Sequence, residues 1–135
     1  MALIDEASPR ADIYDRRCPS RNVLGHVTGR WGGLVITALL GGTLRYSELR
    51  ARVDGISEKM LAQTLRELLL DGLILRTSHP VVPPRTEYEL TPSGREVAVL
   101  VRSLVTWIED HVHDVLAARA CAEDVRAKGE GAILG

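Results

Sequence analysis

Apolar residues recur at helical spacing in the middle of the chain. Four leucines at positions i, i+4, i+7 and i+8 predict a helix with one face in the core, formed by Leu61, Leu65, Leu68 and Leu69. Ser57 is a favoured N-cap for this helix, and Gly72 ends it. A shorter helix, capped by Ser47 and burying Leu49, should precede it, and Gly55 can take a positive φ in the turn between the two helices.

Two alternating segments follow the second helix. Residues 73–77 and 86–90 read as strands, with Tyr88 and Leu90 on one face and two glutamates on the other, and they should pair antiparallel. Between them, residues 78–85 contain three prolines, which cannot donate ladder hydrogen bonds and so predict a stiff, projecting loop. Two helices followed by such a hairpin form a winged helix-turn-helix, a mainly α fold with a small β wing.

Two more helices and a short strand are predicted on the N-terminal side. Residues 20–28 should form a first helix, and residues 34–40, apolar on nearly all sides, should form a central core helix that two glycines end. Residues 43–45 can add a short strand to the wing sheet. Residues 1–17 mix charges without a clean period and should form a flexible N-terminal arm.

A long amphipathic helix is predicted for residues 92–118, with Thr91 as its N-cap and Pro92 at its first position. It is apolar on more than one side, so we expect a two-fold dimer to bury it, with packing inside one chain as the alternative. The expected seam comprises Val97, Leu100, Val101, Leu104, Trp107, Ile108, Val112 and Val115. The wing domain with this helix spans residues 18–118, and residues 119–135 should fray.

The outward face of the second helix carries side chains suited to reading DNA, although an ordinary solvated face has the same composition. Its polar residues recur at i, i+4 and i+7, with smaller or flexible ones near the helix start, where a recognition helix contacts bases. The candidates are Ser57, Lys59, Met60, Gln63, Thr64 and Arg66.

Basic residues also flank the predicted wing. Arg76, His79 and Arg85 are candidates for contact with phosphates or a minor groove. For Arg76 the alternative is a cross-strand ion pair with Glu87 or Glu89, because opposite charges on a sheet face commonly pair.

Length, composition and charge restrict the function classes. A chain of 135 residues with 45% hydrophobic content should form one domain. No stretch reads as a membrane span or a signal peptide, so we expect a cytoplasmic protein with no membrane partner. The net charge of −1 lacks the basicity common in nucleic-acid binders. Specific binding should therefore rely on a dimer that places two recognition helices on the DNA at once.

Cys18 is the candidate for thiol chemistry. It precedes the first helix, and the helix dipole together with the neighbouring Arg16, Arg17 and Arg21 should favour its thiolate. This predicts a redox sensor; an inert, partly buried thiol is the alternative. Across a dimer, Cys18 and Cys121 are a further possible pair.

No metal, cofactor or catalytic site is predicted. His111 and His113 are two positions apart and point to opposite sides of a helix, and the chain contains no C-x-x-C. Cys18 and His26 are too far apart for a hydrogen bond within one helix. Motifs for nucleotide phosphates or a nucleophile elbow are absent, so the chain is not expected to be an enzyme.

Short motifs spread over roughly residues 18–115 resemble the HxlR-type family of bacterial transcriptional regulators, relatives of the MarR-type winged helices. The residues that carry the resemblance are Cys18-Pro19, Gly29-Arg30-Trp31, 45–49, 55–61, 65–68, 71–74, Arg76, 83–91 and Gly94. The chain departs from the family pattern at Gly32-Gly33, which puts the start of a helix in doubt, and at Thr86. The resemblance implies a homodimeric DNA-binding regulator, and some members use a cysteine at the place of Cys18 to sense oxidants or electrophiles.

Two hypotheses follow. The first is a sequence-specific transcriptional regulator, expected to be a repressor, that binds a palindromic operator as a homodimer and responds to an oxidant through Cys18 or to a small-molecule effector without a thiol switch. The second is a protein-interaction module that has a winged-helix shape, which the neutral charge allows.

Overall fold

The structure, a computed structural model, describes the backbone of residues 11–134 and the side chains of residues 11–129. The predicted N-terminal arm therefore lies largely outside the described residues. The elements are α1 (Ser20–Thr28), α2 (Gly32–Ala38), a 3-10 turn (Leu39–Gly41), β1 (Leu44–Arg45), α3 (Tyr46–Arg52), α4 (Glu58–Leu70), β2 (Ile74–His79), β3 (Arg85–Leu90) and α5 (Pro92–Leu134). This order confirms the predicted winged helix-turn-helix with a long C-terminal helix.

The chain divides into two compact units at the bond between Val101 and Arg102, inside α5. The first unit holds the helices α1 to α4, the wing and the first turns of α5. The second unit is the remainder of α5.

The wing is a three-stranded antiparallel sheet with the order β1-β3-β2. Ile74 lies opposite Leu90 at its base, and His79 lies opposite Arg85 at its far end. The short β1 pairs Leu44 with Tyr88, which confirms the predicted third strand. Both long strands extend further than predicted, so the connecting loop is confined to residues 80–84.

Helix α4 is held by its leucine stripe. Leu61, Leu65 and Leu68 are at most 2% exposed. Leu69, also predicted for the core, is only half-buried, because it follows Leu68 by 100° and lies at the edge of the stripe. The core that these leucines join also contains Val35, Ile36, Leu39, Leu49 and Ile74.

The central helix α2 begins at the two glycines that the sequence left in doubt. A Cβ on Gly32 would lie 1.7 Å from the backbone oxygen of His26, and one on Gly33 would lie 3.0 Å from that of Val27. Glycine is required here because α1 and α2 approach through their backbones, and this close packing offsets the poor helix propensity. One face of α2 is core, whereas Leu34 is 43% exposed, so the helix is not buried all round.

The helix-turn-helix is bounded by local capping interactions. The predicted cap at Ser47 is wrong, because α3 begins one residue earlier and the Glu48 carboxylate accepts a 2.8 Å hydrogen bond from the N–H of its N-cap residue, Arg45. Ser57 caps α4 as predicted, accepting from the Met60 N–H at 3.1 Å. Gly55 between the helices has a φ of 87°, also as predicted.

Helix α5 starts as predicted. Thr91 Oγ1 accepts a 3.0 Å hydrogen bond from the Gly94 N–H and donates one of 2.7 Å to the Gly72 carbonyl. The helix then continues to Leu134, beyond the predicted end at residue 118; the fraying of residues 119–135 stays a prediction. Alanine-rich sequence favours the extension, and i,i+4 ion pairs support it at Arg119–Glu123 (3.5 Å) and Asp124–Lys128 (3.1 Å).

The first turns of α5 pack within the protomer. Val101 is 7% exposed, and its Cγ1 lies 3.4 Å from the position of a Cβ on Gly33. Val97 is half-buried and Ala98 is fully buried. The assignment of Val101 to a dimer seam is therefore corrected, because this residue packs against α2 in its own chain; the assignment of Val97 stays a prediction.

Within the described part of the chain, no single helix has the length and apolar character needed to cross a membrane. One pair, Ser20–Thr28 with Gly32–Gly41, meets those two criteria jointly but is bent by 68°.

Replacing Gly32 by alanine should destabilise the protein. The added methyl would collide with the His26 carbonyl, and such overpacking costs about 1–3 kcal/mol. Gly25→Ala is the matched control, because nothing lies within 4 Å of its added Cβ and the helix should gain up to about 1 kcal/mol. Chemical denaturation measures both effects; a Gly32→Ala protein as stable as the wild type would contradict the packing described.

Candidate nucleic-acid interface

Three of the predicted reading residues share the exposed face of α4. Lys59, Gln63 and Arg66 are all exposed, and they lie opposite the leucine stripe that anchors the helix. The Ser57 hydroxyl is occupied by its capping bond. The arrangement presents one cation near the start of α4, a neutral amide in the middle and a second cation beyond it, donors that suit phosphates and purine edges.

The flank of α4 turns instead towards a cleft of about 330 Å³. Met60 and Thr64, predicted to face DNA, are half-buried and line this cleft beside Gln63. The opposite wall is the α1–α2 junction, where the Arg30 guanidinium lies 5.1 Å from the centre of the Trp31 ring. Met60 and Thr64 are therefore placed less directly for base contact than the other three residues.

A histidine fastens α1 to the C-terminal half of α4. His26 Nδ1 lies 2.6 Å from Asp71 Oδ2, and its Nε2 lies 3.2 Å from Glu67 Oε2. Both ring nitrogens thus face carboxylates, and the histidine has a structural role. Among the described residues, the side-chain hydrogen bond of Cys18 is with Ser20 rather than with His26.

Helix α3 is tied to the start of α4 by two polar contacts. Arg50 Nη1 lies 3.0 Å from Glu58 Oε1, and the Tyr46 hydroxyl donates a 3.2 Å hydrogen bond to the Glu58 carbonyl. These contacts bridge the turn and fix the angle at which α4 leaves α3.

Two of the side chains predicted to contact DNA from the wing, His79 and Arg85, lie next to an acid of the wing itself. His79 Nε2 contacts Glu87 Oε1 at 2.5 Å, and Arg85 Nε lies 3.5 Å from the same oxygen. One carboxylate therefore lies next to both basic side chains, because the hairpin register places all three residues at one end of the sheet. The tip itself is apolar, with Val82 99% exposed.

The alternative offered for Arg76, an ion pair with Glu87 or Glu89, is not formed. The register sets Arg76 opposite Tyr88, which puts it on the other face from those glutamates. Burial raises the pKa of Tyr88, and the nearby Arg76 charge and hydrogen bond partly oppose that shift. Arg76 is exposed and stays a candidate for DNA contact.

A second cleft, of about 580 Å³, separates the start of α3 from the wing. It brings Arg85 and Thr86 of β3 together with Arg45, Tyr46 and Ser47, and residues 81–84 of the loop complete it. Sequence reasoning missed Arg45, because its proximity to the wing depends on the pairing of Arg45 with Glu87 across the sheet. The only local signal is a basic residue directly before α3.

Cys18 is half-buried at the start of α1, and its Sγ lies 3.0 Å from Ser20 Oγ. Hydrogen bonds from the Ser20 hydroxyl and then the Ser20 backbone hold the pKa of the thiol below its usual value, while burial and the Asp15 charge oppose this. The predicted effect of the arginines is not found, since none of them contributes to the lowered pKa. Arg17 is engaged by Asp15 at 3.1 Å. Cys121 is exposed on α5.

Comparison with known proteins places this geometry in a family. The HxlR-like helix-turn-helix family matches residues 26–115. The HTH-type transcriptional regulator YtfH of Escherichia coli is 51% identical over 108 residues, which are 80% of this chain and 86% of that protein.

Solved structures agree. The transcriptional regulator ytfH from Salmonella typhimurium superposes with a TM-score of 0.79 at 51% identity, covering 82% of this chain and 98% of that one. The redox regulator HypR in its oxidized form gives a TM-score of 0.63 at 34% identity, covering 69% of this chain and 96% of that one. The chain therefore belongs to the HxlR-like helix-turn-helix family of transcriptional regulators.

Proposed function

We propose that this regulator is a sequence-specific DNA-binding repressor that acts in the cytoplasm as a homodimer on a palindromic operator. The observation that carries the proposal is the orientation of α4, whose leucine stripe is buried and whose Lys59, Gln63 and Arg66 form an exposed polar row. In a winged helix-turn-helix this row occupies the major groove, and the wing flanks it.

The charge distribution supports a modest electrostatic contribution to the affinity for DNA. The chain carries 17 Lys and Arg against 18 Asp and Glu, and Glu87 lies within 3.5 Å of Arg85 at the wing. Few phosphates can be neutralised by one protomer, so counterion release alone gives weak binding. Two recognition helices acting together would supply the missing affinity and require two related half-sites.

The partner proposed for α5 is a second copy of this chain. Leu100, Leu104, Trp107, Ile108 and Val115 are between 43 and 70% exposed, and Val112 is half-buried. A row of large apolar side chains this long on one helix is unusual for a surface that stays in water. A two-fold pairing lets the same row cover itself.

Thiol sensing through Cys18 is a second proposal, favoured by the lowered pKa of this thiol. The Ser20 hydrogen bonds increase the thiolate fraction, and thiolate is the form that oxidants and electrophiles attack. The similarity to HypR, a redox regulator by name, adds support.

The DNA proposal is tested with a duplex selected from a random library and titrated by fluorescence anisotropy over a salt series. Lys59→Ala with Arg66→Ala should lower the affinity at least about tenfold and reduce the salt slope by about two, because two cationic contacts are lost. Arg119→Ala with Lys128→Ala removes the same charge from α5 and should bind like the wild type. Binding that ignores salt and the first pair would instead indicate a protein-interaction module.

The dimer proposal predicts a mass of twice 14.8 kDa in solution. Two acids introduced by Leu104→Asp and Ile108→Asp should yield monomers, because paired helices would bury their charges. Val82→Asp places an acid on a side chain that is 99% exposed at the wing and should leave the mass unchanged. Light scattering after size exclusion distinguishes the species. A monomeric wild type, or a double variant that stays dimeric, would refute the α5 seam.

The thiol proposal predicts that hypochlorite or a quinone releases DNA from the wild type and from Cys121→Ser but not from Cys18→Ser. Ser20→Ala should raise the pKa of Cys18 towards its usual value, so alkylation by iodoacetamide at neutral pH should slow. An identical oxidant response in Cys18→Ser would remove the thiol from the account. The cleft beside Trp31 would then be the candidate site for a small-molecule effector.

A further inference from the structure

The cleft between α3 and the wing concentrates donors from two separate elements. Arg45 and Ser47 come from the start of α3, and Arg85 and Thr86 come from β3. Two guanidinium groups and two hydroxyls around about 580 Å³ match the hydrogen-bonding needs of a phosphate group.

One of these donors lacks an acceptor. Arg85 Nε is buried and has no hydrogen-bond partner among the described residues. Its separation of 3.5 Å from Glu87 Oε1 meets the distance of an ion pair but not the geometry of a hydrogen bond. A buried N–H of a charged group that stays unsatisfied is costly. Because the Arg85 side chain is 36% exposed, a change of its rotamer can direct this unused donor to an acceptor in the cleft.

The acids near the cleft leave room for an anion. Glu87 is already in contact with His79, and Glu48 is occupied by the backbone N–H of Arg45. Neither carboxylate is among the residues that line the cleft. The lining itself contains two arginines and no acid, while Glu87 lies next to it, 3.5 Å from Arg85 and opposite Arg45 in the sheet register.

The cleft also adjoins the recognition helix. Tyr46 lines it, and the Tyr46 hydroxyl bonds to the carbonyl of Glu58, the first residue of α4. An anion bound here lies next to the end of α4 that carries Ser57 and Lys59.

We propose that Arg45, Ser47 and Arg85 together bind one backbone phosphate of the DNA whose bases α4 reads, so that the first helix of the motif and the wing share a single phosphate. The inference rests on the proposed function and deepens it. The shared phosphate would link the wing to the helix in the major groove. Arg45 would then help to determine where the wing meets the duplex.

Duplexes in which single phosphates are replaced by neutral methylphosphonates test the contact. For the wild type, one replacement in each half-site should weaken binding about tenfold beyond its neighbours, the scale expected for a lost charged hydrogen bond. Arg45→Ala should bind the unmodified duplex about tenfold more weakly than the wild type does, and replacing that phosphate should weaken its binding no further. Ser47→Ala should show the same pattern with smaller losses of affinity.

Arg52→Ala is the matched control, since Arg52 is exposed on the same helix and does not line the cleft. It should retain the wild-type response at that phosphate. Glu87→Gln should tighten binding, because it removes the carboxylate nearest Arg85. Circular dichroism verifies that each variant is folded.

The outcomes separate the possibilities. Two results would overturn the shared phosphate and leave the proposed function intact. In the first, Arg45→Ala lowers the affinity by the same factor at every methylphosphonate position. In the second, Arg45→Ala binds like the wild type, whereas Lys59→Ala with Arg66→Ala fails to bind. A different result would assign the site to free phosphate instead. Inorganic phosphate would then shift the NMR signals of the cleft amides saturably at constant ionic strength, and methylphosphonates would have no effect on DNA binding. No duplex bound by the wild type would overturn both proposals.

Discussion

The burial of one leucine stripe determines what the rest of the molecule can do. Leu61, Leu65 and Leu68 are each almost fully removed from solvent, a burial worth about 1.5–3 kcal/mol per side chain. Rotating α4 to present another face would expose all three, so Lys59 and Gln63 are held outward by the core. The contacts of His26 with Asp71 and Glu67, and those of α3 with Glu58, then fix the two ends of the same helix.

The distribution of charge follows a second constraint, the register of the wing. Pairing of β2 with β3 brings Glu87 within reach of both His79 and Arg85, and the tip of the loop is apolar. The arginines that remain near the wing, Arg45 and Arg85, line the same cleft. The proposed contacts with a duplex therefore lie on the outer face of α4 and at the cleft lined by Arg45 and Arg85. A chain with a net charge of −1 can in this way retain a positive surface where it is needed.

Much of the fold follows from local pattern, and what does not follow depends on contacts distant in sequence. The leucine spacing, the Ser57 cap and the strand alternation specify α4 and the wing, because these signals act within a few residues. From the sequence, the two glycines of α2 only lower its helix propensity. Their role becomes clear in the structure, where the backbone of His26 lies beside Gly32. For the same reason the sequence did not reveal the place of Arg45 beside the wing or the contacts of Glu87 with His79 and Arg85. It also assigned Val101 to a dimer seam, although its own chain buries this residue. The length of α5 was underestimated because its late glycines outweighed a long run of good helix formers.

Amide hydrogen exchange with and without a selected duplex tests the central claim most directly, because it reports the contact surface without altering any side chain. The account predicts slower exchange in the first half of α4, at the start of α3 and in the β2–β3 hairpin, with little change at the already protected leucine stripe. Protection confined to α5 or to the α1–α2 junction, with α4 and the wing unaffected, would contradict it.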